Sequence, residues 1–263
     1  MLQKIDSLED PRLTPYHNLK DRELARLGGR FLAESDLVVR RLLGSDYPTE
    51  SVLVAQRKAD AIAGVVPPHV PLYVLPEKEL DAVVGYPFHT GVLAVGLRKP
   101  PAALDSLLPK SPARSTLVIC PHLTNHENLG SLIRISSAFG ADAIILGERC
   151  CDPFYRLCIR VSMGTIFTLP IMQSTEILKD LAELKTEHGY QLAATVLDST
   201  AENLDHARRP DRFAILFGNE AIGLAAEHIQ ACDRKITLPM KRGTDSLNVA
   251  VAAGIFLYQL TRE

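Results

Sequence analysis

Three clusters in the second half of the chain have residue types and spacing suited to chemistry. The first runs Asn125-His126-Glu127-Asn128-Leu129-Gly130 and on to Arg134, from a strand-like run into a helical one. Asn128 suits a helix N-cap, Gly130 lets backbone or ligand approach closely, and Arg134 is expected on roughly the same helical face. An arginine among Leu132, Ile133 and Ile135 either faces solvent or, if buried, requires an anion. The second, Gly218-Asn219-Glu220-Ala221-Ile222-Gly223, holds a carboxylate between two turn-forming glycines. It is neither a Walker loop nor a dinucleotide fingerprint, so a shaped binding loop and a plain turn both remain open. The third runs from Leu238-Pro239-Met240 to Ser246-Leu247-Asn248, where Pro239 stops a strand and Ser246 or Asp245 is the expected cap of a closing helix. Arg234, Lys235, Lys241 and Arg242 face only Asp233 in this stretch, which makes it a candidate phosphate-facing patch or a solvated turn.

Other chemistries are poorly represented. The histidines are scattered, with no H-E-x-x-H and no paired His/Cys spacing, so no metal is expected. A G-x-S-x-G nucleophile elbow is absent. The five cysteines are odd in number and form no C-x-x-C pair, which argues for buried free thiols rather than a disulfide framework or zinc ribbon.

The elements that must position these clusters alternate. Short apolar runs at Thr116–Cys120, Ala143–Leu146, Phe167–Ile171, Leu192–Leu197, Phe213–Phe217 and Ile236–Leu238 are expected strands. Gly130–Phe139, Glu176–Lys185 and Ser246–Leu260 are expected helices. This α/β pattern predicts a mostly parallel sheet covered on both faces, with ligands bound beyond the carboxyl ends of its strands. The loops after Cys120, Leu197, Phe217 and Leu238 are therefore the expected ligand-binding loops. In the last helix Leu247, Val251, Gly254 and Leu257 form an expected apolar stripe, with small residues that suit core packing, a ligand or a second subunit.

Upstream, a helix around Phe31–Leu43 and strands at Ser51–Ala55, Val70–Leu75 and Val92–Leu97 suggest a smaller α/β domain over residues 1–98. Pro100, Pro101, Pro109 and Pro112 mark residues 99–113 as a linker, leaving 114–263 as the second domain. At 263 residues, 46% hydrophobic and net charge −2, the composition is that of a soluble globular chain. No apolar run approaches the ~20 residues of a membrane span, so the expected location is the cytoplasm.

Taken in order, the clusters resemble the three motifs of the SpoU (TrmH-like) family of RNA ribose 2′-O-methyltransferases: N-x-G-x-x-x-R, then G-x-E-x-x-G, then a strand ending in Pro-Met before Ser-Leu-Asn. Arg160-Val161-Ser162-Met163-Gly164 is similar to the family's stretch between the first two motifs. More loosely, Phe31-Leu32-Ala33-Glu34 and His89-Thr90-Gly91-Val92-Leu93-Ala94 are similar to its L30e-like substrate-binding domain. The resemblance implies a C-terminal SPOUT-class domain with a deep trefoil knot and an N-terminal L30e-like domain. It also implies a homodimer and S-adenosylmethionine as cofactor. By motif match Gly218, Leu238 and Leu247 would hold the cofactor, with Asn219 and the strand-end residues Thr195 and Leu197.

The implied reaction moves a methyl group to a ribose 2′-hydroxyl of a structured RNA, rRNA in preference to tRNA. Arg134 would orient that hydroxyl, while Asn128, Glu220, Ser246 and Asn248 shape the site and Glu220 pairs with Arg134. Pro121 and Asn125 stand where many members have acidic residues, and Ala221 where glycine is common. The alternative is a non-catalytic RNA-binding or ribosome-assembly factor that keeps the fold.

Overall fold

A computed structural model describes residues 2–5, 7–17, 29–109, 114–242 and 246–262. The chain divides into two compact units, one of residues 1–100 with 154–168, the other of residues 101–153 with 169–263.

The first unit contains β1 (Leu2–Lys4), β2 (Arg30–Glu34), α1 (Asp36–Leu43), β3 (Thr49–Ala55), α2 (Ala59–Ala63), β4 (Leu72–Leu75), α3 (Glu77–Val84) and β5 (Val92–Leu97). Its mixed sheet has the order β1-β4-β3-β5-β2. The expected helix over Phe31–Leu43 is instead a strand followed by a helix. Phe31, Leu32 and Ala33 are consecutive buried residues, which a helix with one exposed face cannot supply, and the helix begins only at Asp36. β2 pairs antiparallel with β5, setting Phe31 opposite Gly96. A Cβ at Gly96 would collide with the Phe31 ring, so the glycine makes room for it. That ring meets Tyr47, Phe154 and Phe167 at centroid distances of 5.2–5.9 Å. Residues 154–168, which the sequence pattern does not assign to this unit, join it through these rings and through Arg156, whose guanidinium donates to buried Glu34 at 2.6 Å.

The second unit contains α4 (Leu104–Leu107), β6 (Ser115–Cys120), α5 (His126–Ala138) and β7 (Ala143–Leu146). α6 (Arg156–Val161) follows in the segment that joins the first unit. The second unit resumes with β8 (Ile171–Gln173), α7 (Ile177–Thr186), β9 (Gln191–Thr195), β10 (Glu202–Asn203), β11 (Arg212–Leu216), α8 (Ala226–Ala231), β12 (Arg234–Thr237) and α9 (Val249–Thr261). Its seven strands lie in the order β10-β12-β9-β11-β6-β7-β8, and every pairing is parallel. The buried runs of β6 and β7 are continuous rather than alternating, as a parallel sheet covered on both faces demands.

Several local expectations change. Thr165–Phe167 is a 3-10 turn, and the strand expected at Phe167–Ile171 begins only at Ile171, after Pro170. Leu104, Leu107 and Leu108, inside the expected linker, are buried in the core of the second unit. Residues 110–113 of that linker lie outside the described residues. On α9 the buried side is Val249, Ala250, Ala253, Phe256, Leu257 and Leu260, whereas Val251 is 51% exposed. The apolar stripe is thus rotated from the expected one, and Val251, Ile255 and Tyr258 form a second, exposed row. No helix among the described residues is long and apolar enough to cross a membrane.

Candidate functional site

Parallel strands bring their carboxyl ends to one edge of the sheet, so the loops after β9, β11 and β12 meet there. Together with the start of α9 they line a cavity of about 460 Å³, within the size range of small-molecule sites. Thr195, Leu197, Gly218, Asn219, Leu238 and Leu247 all line it. Phe217, Ile229, Val249 and Phe256 add apolar walls, and Glu220 and Ser246 add polar groups. Exposed Ile222 also lines it, a residue that the motif pattern does not single out.

The loop after β11 is stiff for identifiable reasons. Asn219 and Gly223 exchange backbone hydrogen bonds at 3.0 and 2.8 Å, and the Asn219 side chain accepts from the Ala221 amide at 2.9 Å. Gly223 has φ +68°, a left-handed conformation that suits glycine. A Cβ on Gly218 would collide with the Gly223 backbone and the Leu224 nitrogen. This loop is therefore a shaped wall of the cavity, carrying half-buried Glu220 on its rim.

The three motifs are joined by a chain of side-chain hydrogen bonds. Asn248 Oδ1 accepts from the Ala250 and Val251 amides at the start of α9, which turns its Nδ2 outward to donate to Asn128 Oδ1 at 2.8 Å. Asn128 Nδ2 in turn donates to Glu220 Oε1 at 2.6 Å. Each amide has only one orientation that satisfies both neighbours, so the relay fixes the rotamers of all three residues. A carboxylate acceptor makes the last bond the strongest.

Both cap expectations move by a few residues. The N-cap of α5 is Asn125, whose side chain accepts from the Glu127 and Asn128 amides, and this places Asn128 in the first turn, available for Glu220. The cap of α9 is Asn248 rather than Ser246, while Asp245, the other residue expected there, lies outside the described residues.

Arg134 is not part of this junction. It lies on the exposed side of α5, forms no ion pair or hydrogen bond among the described residues, and does not line the cavity. Six residues at 100° each put it about 120° around the helix from Asn128, so the expected shared face and the Glu220 pairing are both absent. Glu220 is bonded to Asn128 instead. The cationic stretch is also partly committed, because Arg234 forms a bidentate pair with Glu202 and donates to Gln191. Lys235, Lys241 and Arg242 remain exposed.

The cysteines at the carboxyl end of β6 are poor nucleophiles. Burial pushes the Cys150 thiol up to about 11 and Cys151 to about 12, and Cys120 is fully buried. A cluster of potential metal ligands among the described residues, Asp105, Glu183 and His188, lies away from the cavity, at α4 and before the amino end of β9.

Residues 115–258 match the model of the SpoU rRNA methylase family. An uncharacterized tRNA/rRNA methyltransferase of Mycobacterium bovis is 34% identical, with 99% of this chain and 92% of the relative covered. The 23S rRNA (guanosine(2553)-2′-O)-methyltransferase RlmP of Bacillus subtilis is 27% identical over 98% of this chain and 99% of its own. Among solved structures, an AdoMet-bound rRNA methyltransferase from Sinorhizobium meliloti superposes with a TM-score of 0.83 at 25% identity, covering 98% of this chain and 97% of that one. A sequence match over both units and a superposition of the whole chain agree with the motif junction, and the chain belongs to the SpoU family of RNA methyltransferases.

Proposed function

We propose that the protein transfers a methyl group from S-adenosylmethionine to a ribose 2′-hydroxyl of a structured RNA, rRNA in preference to tRNA. One observation carries this reading. The hydrogen-bonded junction Asn248–Asn128–Glu220 stands beside a cavity lined by every residue that the motifs assign to the cofactor. The cavity suits an adenosine-bearing ligand, with apolar walls for a ring and a tight loop at Gly218 whose backbone groups are available to it. The deep trefoil knot belongs to the same reading, as does an L30e-like RNA-binding role for the first unit.

The bound cofactor supplies a methyl group on a sulfonium, open to in-line attack. The protein's task is to place the 2′-hydroxyl and handle its proton. Arg134 is too basic to be a general base, since a guanidinium stays protonated. Its exposure and lack of an internal partner among the described residues suit it to hold an RNA phosphate and so orient the neighbouring hydroxyl. Asn128 and Asn248 position Glu220, whose carboxylate sets the polarity of the rim and limits which nucleotide fits. The exposed row Val251, Ile255 and Tyr258 on α9 supports a homodimer, because a second copy would bury it. The cytoplasm is the compartment in which such an RNA is met.

Calorimetric titration with S-adenosylmethionine and S-adenosylhomocysteine tests the cofactor, with saturation near one site per chain as the expected result. Methyl transfer to ribosomal RNA lacking the modification, followed by mapping of alkali-resistant ribose linkages, tests the reaction. Binding without transfer to any rRNA or tRNA would favour the assembly-factor reading, and methylation of a base would overturn the ribose assignment.

A further inference from the structure

At the edge of the second sheet opposite the cavity, Arg114, Arg208, Arg209 and Arg262 line a cleft of about 370 Å³ together with Ala207, Gln259 and Leu260. Among the described residues no carboxylate lines it. The chain as a whole is slightly acidic, at −2, so four guanidiniums around one small cleft are a local concentration of charge rather than a reflection of composition.

The fold holds this arrangement in place. Arg114 immediately precedes β6, and Arg208 and Arg209 sit just ahead of β11, so the amino ends of two paired parallel strands bring them together. Arg234 donates to the Arg208 carbonyl at 2.9 Å while held by Glu202, which fixes the turn at its backbone. Arg209 Nη1 donates to Thr116 Oγ1 at 2.7 Å. Arg262 lies over the Tyr258 ring, with its guanidinium carbon 5.6 Å from the centroid. Arg114 has a long pair to Asp211 at 3.6 Å, in which the aspartate is 82% exposed, so solvent weakens it.

Guanidiniums gathered around one concave cleft focus a positive potential there that attracts anions. Guanidinium forks match phosphate oxygens in geometry as well as charge. We propose that this cleft binds backbone phosphates of the RNA substrate, at a second contact separate from the methylation site. The proposal rests on the methyltransferase reading for the identity of the RNA. β11 has five residues, so the two sites are about 15 Å or more apart across the sheet. One RNA touching both must bend around the edge of the domain, which a folded RNA does and a short single strand does not.

The test uses the full-length protein, the variant Arg114→Gln/Arg208→Gln, and deproteinised 23S ribosomal RNA as the probe. Both arginines are exposed, so the variant is expected to melt as the wild type does and to bind S-adenosylmethionine equally well. RNA affinity is measured between about 50 and 200 mM KCl, and the plot of log K against log salt is expected to be shallower by about 2, one for each phosphate no longer neutralised. Lys179→Gln, which removes a charge 69% exposed on α7, is expected to leave the slope unchanged.

An unchanged slope in the double variant, or an equal drop per charge with Lys179→Gln, would overturn the proposal. Saturable binding of inorganic tripolyphosphate that the double variant abolishes, with the RNA slope intact, would assign the cleft to a free anion and overturn the RNA contact. Failure of the enzyme reading appears separately, as wild-type protein that binds neither S-adenosylmethionine nor S-adenosylhomocysteine, and the salt slope still decides the cleft.

Discussion

Asn128 Nδ2 donates to Glu220 Oε1 at 2.6 Å across 92 residues of sequence. That bond joins the first turn of α5 to the loop after β11, and the Asn248 cap of α9 completes the link from the other side of Asn128. The polar rim of the cavity is therefore set by one amide between two partners, each fixed by its own backbone.

Removing that amide should be costly to activity. Asn128→Ala leaves Glu220 and Asn248 without their shared partner, and loss of a hydrogen bond to a charged group is expected to lower methyl transfer by about tenfold to a hundredfold. Asn128→Asp is expected to be worse than Ala at neutral pH, because it sets a second carboxylate against Glu220. Initial rates with radiolabelled cofactor would separate the two, and an alanine variant as poor as the aspartate would remove the electrostatic part of the account.

Gly218→Ala tests the shape of the cavity. The added methyl has nowhere to go without moving the backbone at Gly223 and Leu224, so cofactor affinity is expected to fall by about tenfold or more while the fold survives. Calorimetry reads the affinity, and a circular-dichroism melt reads the fold. Unaltered affinity would mean that the loop does not form the ligand wall.

Much of this site is legible in the sequence because its residues are short-range signatures. The Gly218–Gly223 spacing encodes a turn, and the six residues that the motif match proposes for the cofactor all line one cavity. What the sequence hides is rotation and partner choice. Asn125 and Asn128 are both good caps, and only the helix start decides that Asn125 caps while Asn128 is released to Glu220. Arg134 and Glu220 look like natural partners by charge, yet helical phase separates Arg134 from Asn128. Strand β2 is hidden because Phe31, Leu32 and Ala33 run straight into a helix, and its role emerges only from the distant partner β5. The attachment of Phe154–Thr168 to the first unit depends on rings and an ion pair far apart in sequence, which no local pattern carries.

That ion pair gives a stability prediction. Glu34 is 4% exposed and accepts from Arg156 at 2.6 Å, with Arg160 at 3.7 Å as a longer contact. Arg156→Ala leaves a buried carboxylate short of its main partner and is expected to cost about 3 kcal/mol, part of which Arg160 offsets. Arg156→Ala combined with Glu34→Gln should recover part of the loss, as measured by urea unfolding. No recovery would place the effect in packing against Tyr86 rather than in charge.

The thiols set an alkaline limit. Burial raises Cys150 to about 11 and both Cys151 and Cys232 to about 12, while the unfolded chain ionises its thiols near ~8.5. Above that pH the unfolded state holds fewer protons than the native one, so stability is full below about 8.5 and falls as pH rises toward 11 to 12. The midpoint of urea unfolding should drop between about pH 8 and 10 and be flat from about 7 to 8. At neutral pH the native protein should react slowly with iodoacetamide and the unfolded chain rapidly at all five cysteines. Rapid native labelling at Cys150 or Cys151 would contradict the burial account.

Arg134 offers the sharpest separation of catalysis from structure. It is exposed and bonded to nothing among the described residues, so Arg134→Ala should change stability by no more than about 0.5 kcal/mol. It does not line the cavity, so cofactor affinity should also be unchanged. If its guanidinium holds the phosphate beside the reacting ribose, methyl transfer should nonetheless fall by roughly a hundredfold or more, mostly in kcat. Arg134→Lys keeps the charge but loses the two-pronged fit to phosphate, and should recover only part of that rate. Full recovery by lysine would reduce the role to simple charge attraction, and full activity of the alanine variant would remove Arg134 from the mechanism altogether.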